Sequence, residues 1–247
     1  MSRWLLGTHS VLETLRARPE TARELLLGED LRGGEADEMK KLAHQAGASV
    51  RVVSRKELDR TSRGARHQGV ALKTEIVEAP SLEGLLSRYP EGARRGLVFV
   101  ALDQIQDPHN LGAIARSAVN LGAQALLLPE RRSVSVTEAA VSSSAGAIQK
   151  IPVVSVVNLG QALSRLKKAG FWIYGADASG RPVWDMVFAT PLVLVIGSEG
   201  SGMRPLVRSL CDEVAAIPQT GGVESLNASC AASVLLYEIA RQKRGKP

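Results

Sequence analysis

The chain has 247 residues, enough for two ordinary domains, and its 45% hydrophobic and 23% charged content excludes a disordered, collagen-like or coiled-coil protein. The longest apolar runs, residues 97–102 and 192–196, fall far short of the ~20 residues of a membrane span. With 31 Lys and Arg against 25 Asp and Glu, a formal net charge of +6 and a pI near 9.6, the expected partner is a polyanion such as nucleic acid.

The first residues meet Gly7, His9 and Glu13 before a signal-peptide core could form. Two cysteines, Cys211 and Cys230, make neither a disulfide framework nor a zinc site. A cytoplasmic protein without a metal is expected.

Residues 9–18 read as a helix from Val11, Leu12 and Leu15 at helical spacing; 24–27 is a short apolar run, and 35–46 is a second helix ended by Gly47. Residues 49–53 read as a strand. Ser54 with Glu57 three residues on forms a capping box that opens a third helix, and 69–77 alternates as another strand. Pro80, Gly84, Pro90, Gly92 and Gly96 then break the chain, so 78–96 reads as a linker between a domain over 1–77 and one over 97–247.

Beyond the linker, apolar strands at 97–102, 125–128, 152–156, 171–176, 192–196 and 214–217 alternate with helices at about 110–121, 137–144, 159–169 and 225–241. Continuous Val, Ile and Leu runs separated by helices imply a parallel sheet covered on both faces. Ligands of such sheets bind beyond the carboxyl ends of the strands, which directs attention to the loops that follow them.

Three of those loops concentrate polar and small residues. After 97–102 the chain reads DQIQDPHNLG (103–112) into a helix whose lone Arg116 sits among Ala113, Ala115, Ser117 and Ala118. The plain alternative makes Asn110 a helix cap and Arg116 a surface charge. After 192–196 comes GSEGSG (197–202), which is neither a P-loop nor a Gly-x-Gly-x-x-Gly turn. Its glycines would let a ligand approach the backbone, and Glu199 would repel a phosphate, so an uncharged or cationic ligand fits better. The third loop, 217–227, places Ser225 and Asn227 at a helix start where backbone N–H groups are unsatisfied.

In this order the segments DPHNLGAIARS (107–117), LVIGSEGSGM (194–203) and IPQTGGVESLNAS (217–229) resemble the three motifs of the SPOUT superfamily of RNA methyltransferases, in its 2′-O-ribose branch. The resemblance covers about 97–241 and departs from the family pattern only at Ala228 and at Glu224, neither of which receives a role. The first domain resembles the L30e-like RNA-binding module that precedes 23S rRNA guanosine-2′-O-methyltransferases, with HQGV (67–70) at its late loop.

The resemblance implies a mixed α/β fold, an L30e-like domain followed by a trefoil-knotted parallel-sheet domain, and a homodimer with shared active sites. It implies S-adenosylmethionine as cofactor, held by Gly197, Gly200, Ile217 and Leu226, with Asn110, Arg116, Glu199, Ser225 and Asn227 as the catalytic and substrate-orienting set. A guanidinium holds its proton at neutral pH, so Arg116 is better suited to orienting a phosphate or stabilising an alkoxide than to acting as a base.

The RNA partner is expected to be 23S rRNA, with tRNA methylation or a non-catalytic ribosome-assembly factor as alternatives. A dinucleotide oxidoreductase is disfavoured by the missing glycine fingerprint. RNA contact is expected from a stretch, 51–73, in which seven basic residues face only Glu57 and Asp59; Arg55, Arg60, Arg63, Arg66, His67 and Gln68 are its candidates. The last helix, with Ala228, Ala231, Ala232, Val234, Leu235 and Leu236, carries more apolar surface than one face needs, which is the residue-level argument for the dimer.

Overall fold

The computed structural model describes residues 2–75, 80–130, 133, 136–221 and 225–244. The chain divides into two compact units, Met1–Glu78 and Ala79–Pro247. Among the described residues no helix is long and apolar enough to cross a membrane.

The first unit runs β1 (Ser2–Leu6), α1 (Thr8–Ala17), β2 (Ala22–Gly28), α2 (Gly34–Gln45), β3 (Ser49–Val53), α3 (Arg55–Thr61) and β4 (Val70–Glu75). The four strands form one sheet in the order β1-β4-β2-β3. β2 and β3 are parallel, and β4 is antiparallel to both its neighbours. The period-2 alternation of β2 assigns its two faces. Leu25 and Leu27 pack with Val11 and Leu15 of α1 and Met39 and Ala43 of α2, while Leu26 packs with Val53, Ala71 and Leu58 of α3 on the other face. Each such fully buried side chain is worth about 1.5–3 kcal/mol over leaving it in water. The Ser54 hydroxyl accepts the Glu57 N–H at 3.4 Å, as the capping pattern predicts. Residues 76 and 77 of the expected last strand lie outside the described residues.

The second unit runs α4 (Leu82–Arg88), β5 (Val98–Asp103), α5 (Pro108–Asn120), β6 (Ala125–Pro129), α6 (Glu138–Ser143), β7 (Val153–Val156), α7 (Leu159–Lys168), β8 (Trp172–Pro182), β9 (Leu192–Gly197), α8 (Pro205–Ser209), β10 (Glu213–Ala216) and α9 (Ala228–Arg244). Its six strands lie in the order β10-β8-β9-β5-β6-β7, and every neighbouring pair is parallel. Apolar runs this continuous belong to strands buried on both faces. Val98, Val100, Leu102, Leu194 and Ile196 face Leu111, Ile114 and Ala118 of α5 and Ala232 and Leu235 of α9. Phe99, Ala101, Val193 and Val195 face Leu163 and Leu166 of α7 and Val207 of α8.

The stretch expected as a linker is built differently. Residues 78 and 79 lie outside the described residues, but 82–88 form α4, capped by the Ser81 hydroxyl on the Gly84 N–H at 3.0 Å. Leu85 and Leu86 are buried in the α7 face of the second unit. Two adjacent leucines supply enough apolar area to dock a short helix despite the surrounding Pro and Gly. α5 is pressed closely on α6, since a Cβ at Gly112 would lie 1.8 Å from the Ser143 Oγ. On α9, Ala228, Ala232, Leu235 and Leu236 are buried within the unit, which leaves Val234 as the exposed residue of the apolar set. The parallel register brings the carboxyl ends of β5, β8, β9 and β10 to one edge, where their loops gather.

Candidate active site

Asp107, not Asn110, caps α5, accepting the His109 N–H at 2.9 Å. The Asn110 amide is thereby free for other partners. Its Nδ2 donates to Glu199 Oε1 at 3.1 Å, and its Oδ1 accepts from Asn227 Nδ2 at 3.0 Å. The Asn227 Nδ2 also donates to Glu199 Oε1, and the Ala228 N–H donates to the same oxygen at 3.2 Å. Asn227 Oδ1 caps α9, accepting from the Ser229 N–H at 2.8 Å and its hydroxyl at 2.5 Å. Three loops far apart in sequence are thus locked on one carboxylate oxygen between the N-termini of α5 and α9, where helix dipoles favour negative charge.

Beside this lock lies a cavity of about 270 Å³. Gly197, Gly200, Ile217 and Leu226, the expected cofactor residues, all line it, as do Glu199 and Ser225. Asn110 and Asn227 reach it through their bonds to Glu199. Residues 222–224 of the third loop, Glu224 among them, lie outside the described residues.

Among the described residues the cavity lining holds two carboxylates, Asp177 and Glu199, and no Lys or Arg. That chemistry suits a ligand carrying positive charge and disfavours a phosphate. Asp177, which sequence reasoning missed, comes from β8 itself, one residue past the buried run at 173–175 and Ala176, the last residue paired with β9. Burial pushes its carboxyl up, but the Ser179 hydroxyl and N–H, with the Arg208 guanidinium, outweigh burial and hold it below the usual carboxylate range. The Arg208 Nη1 stands 2.7 Å from Asp177 Oδ2.

The glycine of the loop root also has a task within the loop itself. A Cβ on Gly197 would lie 2.3 Å from the Gly202 carbonyl carbon and 2.4 Å from the Met203 nitrogen, so the missing side chain lets the loop close on itself. Ser198 and Gly202 then exchange backbone hydrogen bonds at 3.1 and 3.0 Å. Gly197→Val is expected to lose about 1–3 kcal/mol of stability from overpacking and to abolish cofactor binding. A denaturant titration and calorimetry on one sample check both, and an unchanged midpoint contradicts the assignment.

Arg116 is not brought into this cluster. It is exposed, with no hydrogen bond or ion pair to any described residue. Six residues beyond Asn110 on α5, it lies about 120° around the helix from it, on the face of His109.

In the first unit Arg55, Arg60, Arg63 and Arg66 are exposed and form no ion pair with described residues, whereas Arg51 is tied to Glu24 at 3.2 Å and Glu57 at 3.0 Å. The two polar candidates between them already have partners. His67 Nδ1 accepts the Gly69 N–H at 3.0 Å, which leaves the Nε2 hydrogen for Asp59 at 3.0 Å. Gln68 Oε1 accepts the Thr8 N–H at 3.2 Å and leaves its amide NH2 outward.

The sequence also matches known families. Residues 97–237 match the SpoU rRNA methylase family, and residues 4–80 match a family described as RNA 2′-O ribose methyltransferase substrate binding. The chain is 39% identical over 241 residues to a Bacillus subtilis protein provisionally named TrmH family tRNA/rRNA methyltransferase YacO, covering 97% of this chain and 96% of that one. A Mycolicibacterium vanbaalenii protein named as an uncharacterized tRNA/rRNA methyltransferase is 44% identical over 97% of this chain and 76% of its own length. Among solved structures, the SpoU methyltransferase AviRb from Streptomyces viridochromogenes, crystallised with the cofactor AdoMet, superposes with a TM-score of 0.75 at 26% identity, over 99% of this chain and 92% of that one. The three interlocked loops therefore occur where the family match runs, and this chain belongs to the SpoU rRNA methylase family.

Proposed function

We propose that the protein transfers a methyl group from S-adenosylmethionine to the ribose 2′-hydroxyl of a guanosine in 23S rRNA. The observation that carries the reading is the Asn110, Glu199 and Asn227 lock beside a cavity whose described lining includes the carboxylates of Glu199 and Asp177 and no Lys or Arg. The bound cofactor supplies an electrophilic methyl on a sulfonium. The backbones at Gly197, Gly200, Ile217 and Leu226 hold it, and the carboxylates of Glu199 and Asp177 complement its positive charge. Asn110, Ser225 and Asn227 would orient the ribose, and Arg116 would grip the adjacent phosphate and stabilise the negative charge on the 2′-oxygen as its proton passes to water, the oxygen–methyl bond forming as the sulfur–methyl bond breaks. Positioning of hydroxyl, methyl and leaving sulfur in line then dominates the rate. The trefoil knot is part of this reading and rests on the resemblance of the three motifs to the SPOUT superfamily. A cytoplasmic setting accords with the free thiols of Cys211 and Cys230.

The reading assigns RNA capture to the first unit and chemistry to the second. Support comes from the substrate-binding family match over 4–80 and from the unpaired arginines of α3 and the following loop. Replacing Arg55, Arg60, Arg63 and Arg66 with Ala is expected to flatten the slope of log affinity against log salt by about 3, at roughly 0.7 for each phosphate no longer neutralised on single-stranded RNA. Filter binding across a salt series measures it. A slope that does not move removes these residues from the interface.

A homodimer with shared sites is proposed on two grounds. Arg116 faces away from its own lock, as a residue serving a partner's site would. The turn Val183–Asp185 packs on α9 and leaves Trp184 66% exposed beside the exposed Val187, with Tyr237 60% exposed on α9. Sedimentation is expected to give a dimer, and a fully active monomer contradicts the sharing. Target choice is tested by offering 23S rRNA and tRNA to the same preparation; label in tRNA alone turns the reading to the tRNA alternative.

A further inference from the structure

At the root of the glycine loop lies a third carboxylate, one that the transfer itself does not touch. Asp103, the last residue of β5, is 0% exposed. Its Oδ2 accepts the Arg204 N–H at 2.8 Å, and its Oδ1 accepts Arg204 Nε at 2.7 Å and lies 2.7 Å from Nη2. A charge buried this completely is costly unless it is paired and hydrogen-bonded, and here all its partners come from one residue. In the sheet ladder Asp103 pairs with Gly197, so the carboxylate sits where the glycine loop leaves β9. Arg204 sits where that loop ends, at the N-cap of α8. The backbone of Asp103 also begins the 104–107 segment that delivers Asn110.

We propose that Asp103 is a positioning residue that, by holding Arg204, sets the 198–203 loop so that its backbone faces the cofactor cavity and Glu199 meets Asn110 and Asn227. The inference rests on the cavity being the cofactor site. It makes one buried ion pair the common anchor of the cofactor loop and the substrate-facing helix. Simple filling of the core does not account for the geometry, since an apolar residue would fill the volume without gripping both ends of the loop.

The test uses the full chain with Asp103→Asn, Arg204→Ala and Arg204→Lys, and measures cofactor affinity by calorimetry and transfer kinetics over a range of S-adenosylmethionine. Asp103→Asn and Arg204→Ala are expected to raise the cofactor Kd and KM by roughly tenfold or more and, because Glu199 shifts with the loop, to lower kcat at saturation as well. Arg204→Lys keeps the main-chain N–H and the charge but loses the planar fork, and is expected to fall between. Arg204→Lys keeps a cation beside the buried carboxylate, so its cofactor Kd, expected to rise by less than in Arg204→Ala but above wild type, decides the point if Asp103→Asn or Arg204→Ala does not fold. A lowered kcat with an unchanged KM reports lost active protein and overturns the proposal, as does an unchanged Kd in both Asp103→Asn and Arg204→Ala while the wild type binds. A wild-type chain that binds no S-adenosylmethionine overturns the cavity assignment and the inference with it.

Discussion

Arg116→Ala is expected to lower methyl transfer about a hundredfold to a thousandfold, the usual cost of removing one donor aimed at developing negative charge, while leaving cofactor affinity within about twofold. Its side chain is exposed and unpaired, and it lines no part of the cavity, so it contributes nothing to cofactor binding or to the fold. A guanidinium keeps its proton at neutral pH and binds phosphate through a planar fork. The charge is thus available for the RNA alone. Tritiated-methyl transfer and cofactor titration on the same variant decide the point. Loss of both together makes Arg116 structural, and full activity removes it from the mechanism. Arg116→Lys keeps the charge without the fork and is expected to recover only part of the rate.

Glu199→Ala is expected to be as damaging but with a different signature. One oxygen of this side chain accepts from Asn110, Asn227 and the Ala228 N–H. Removing it leaves the Asn110 NH2 and the Ala228 N–H without their acceptor, leaves Asn227 Nδ2 with Asn110 Oδ1 alone, and frees the N-terminus of α9 from the glycine loop. Water reaches this exposed cluster, so stability falls by only about 1–2 kcal/mol. Activity depends on held geometry, and a misplacement of ~1 Å can cost about a hundredfold. Because Glu199 also lines the cavity, cofactor affinity is expected to drop about tenfold, unlike Arg116→Ala. Glu199→Gln retains a carbonyl acceptor but turns an NH2 toward donors, and should lie between. Wild-type cofactor affinity in Glu199→Ala would show that the lock has no part in shaping the cavity.

The parallel-sheet unit was legible because its strands are unbroken apolar runs and its functional loops follow them immediately. Periodicity sees a strand that is buried on both faces. β1 escaped because Ser2–Leu6 is short and gains its partners only by pairing antiparallel with β4, some seventy residues on. α4 escaped because its two buried leucines stand among prolines and glycines that read as a break. The lower half of β8 was readable, but its continuation to Pro182 alongside β10, which brings Asp177 to the cavity, depends on tertiary contact.

The candidate site was legible as three loops and not as a hydrogen-bond lock. Asn110 and Glu199 are 89 positions apart and Asn110 and Asn227 are 117 apart, so only the strand order brings them together. Asn110 could equally have been a cap until Asp107 was seen in that place. Asp103 read as the first residue of the loop after an apolar strand, and only its place at the end of β5, buried against Arg204, gives it a task. His67 and Gln68 looked free among arginines, yet both spend polar atoms on their own unit's backbone.

The most direct test of the account is to incubate the purified protein with methyl-tritiated S-adenosylmethionine and rRNA lacking the modification, then digest the RNA to nucleosides and follow the label. The account predicts label in 2′-O-methylguanosine from 23S rRNA, lost in Arg116→Ala. Label on a base, or no transfer to any RNA by a protein that binds the cofactor, would contradict it.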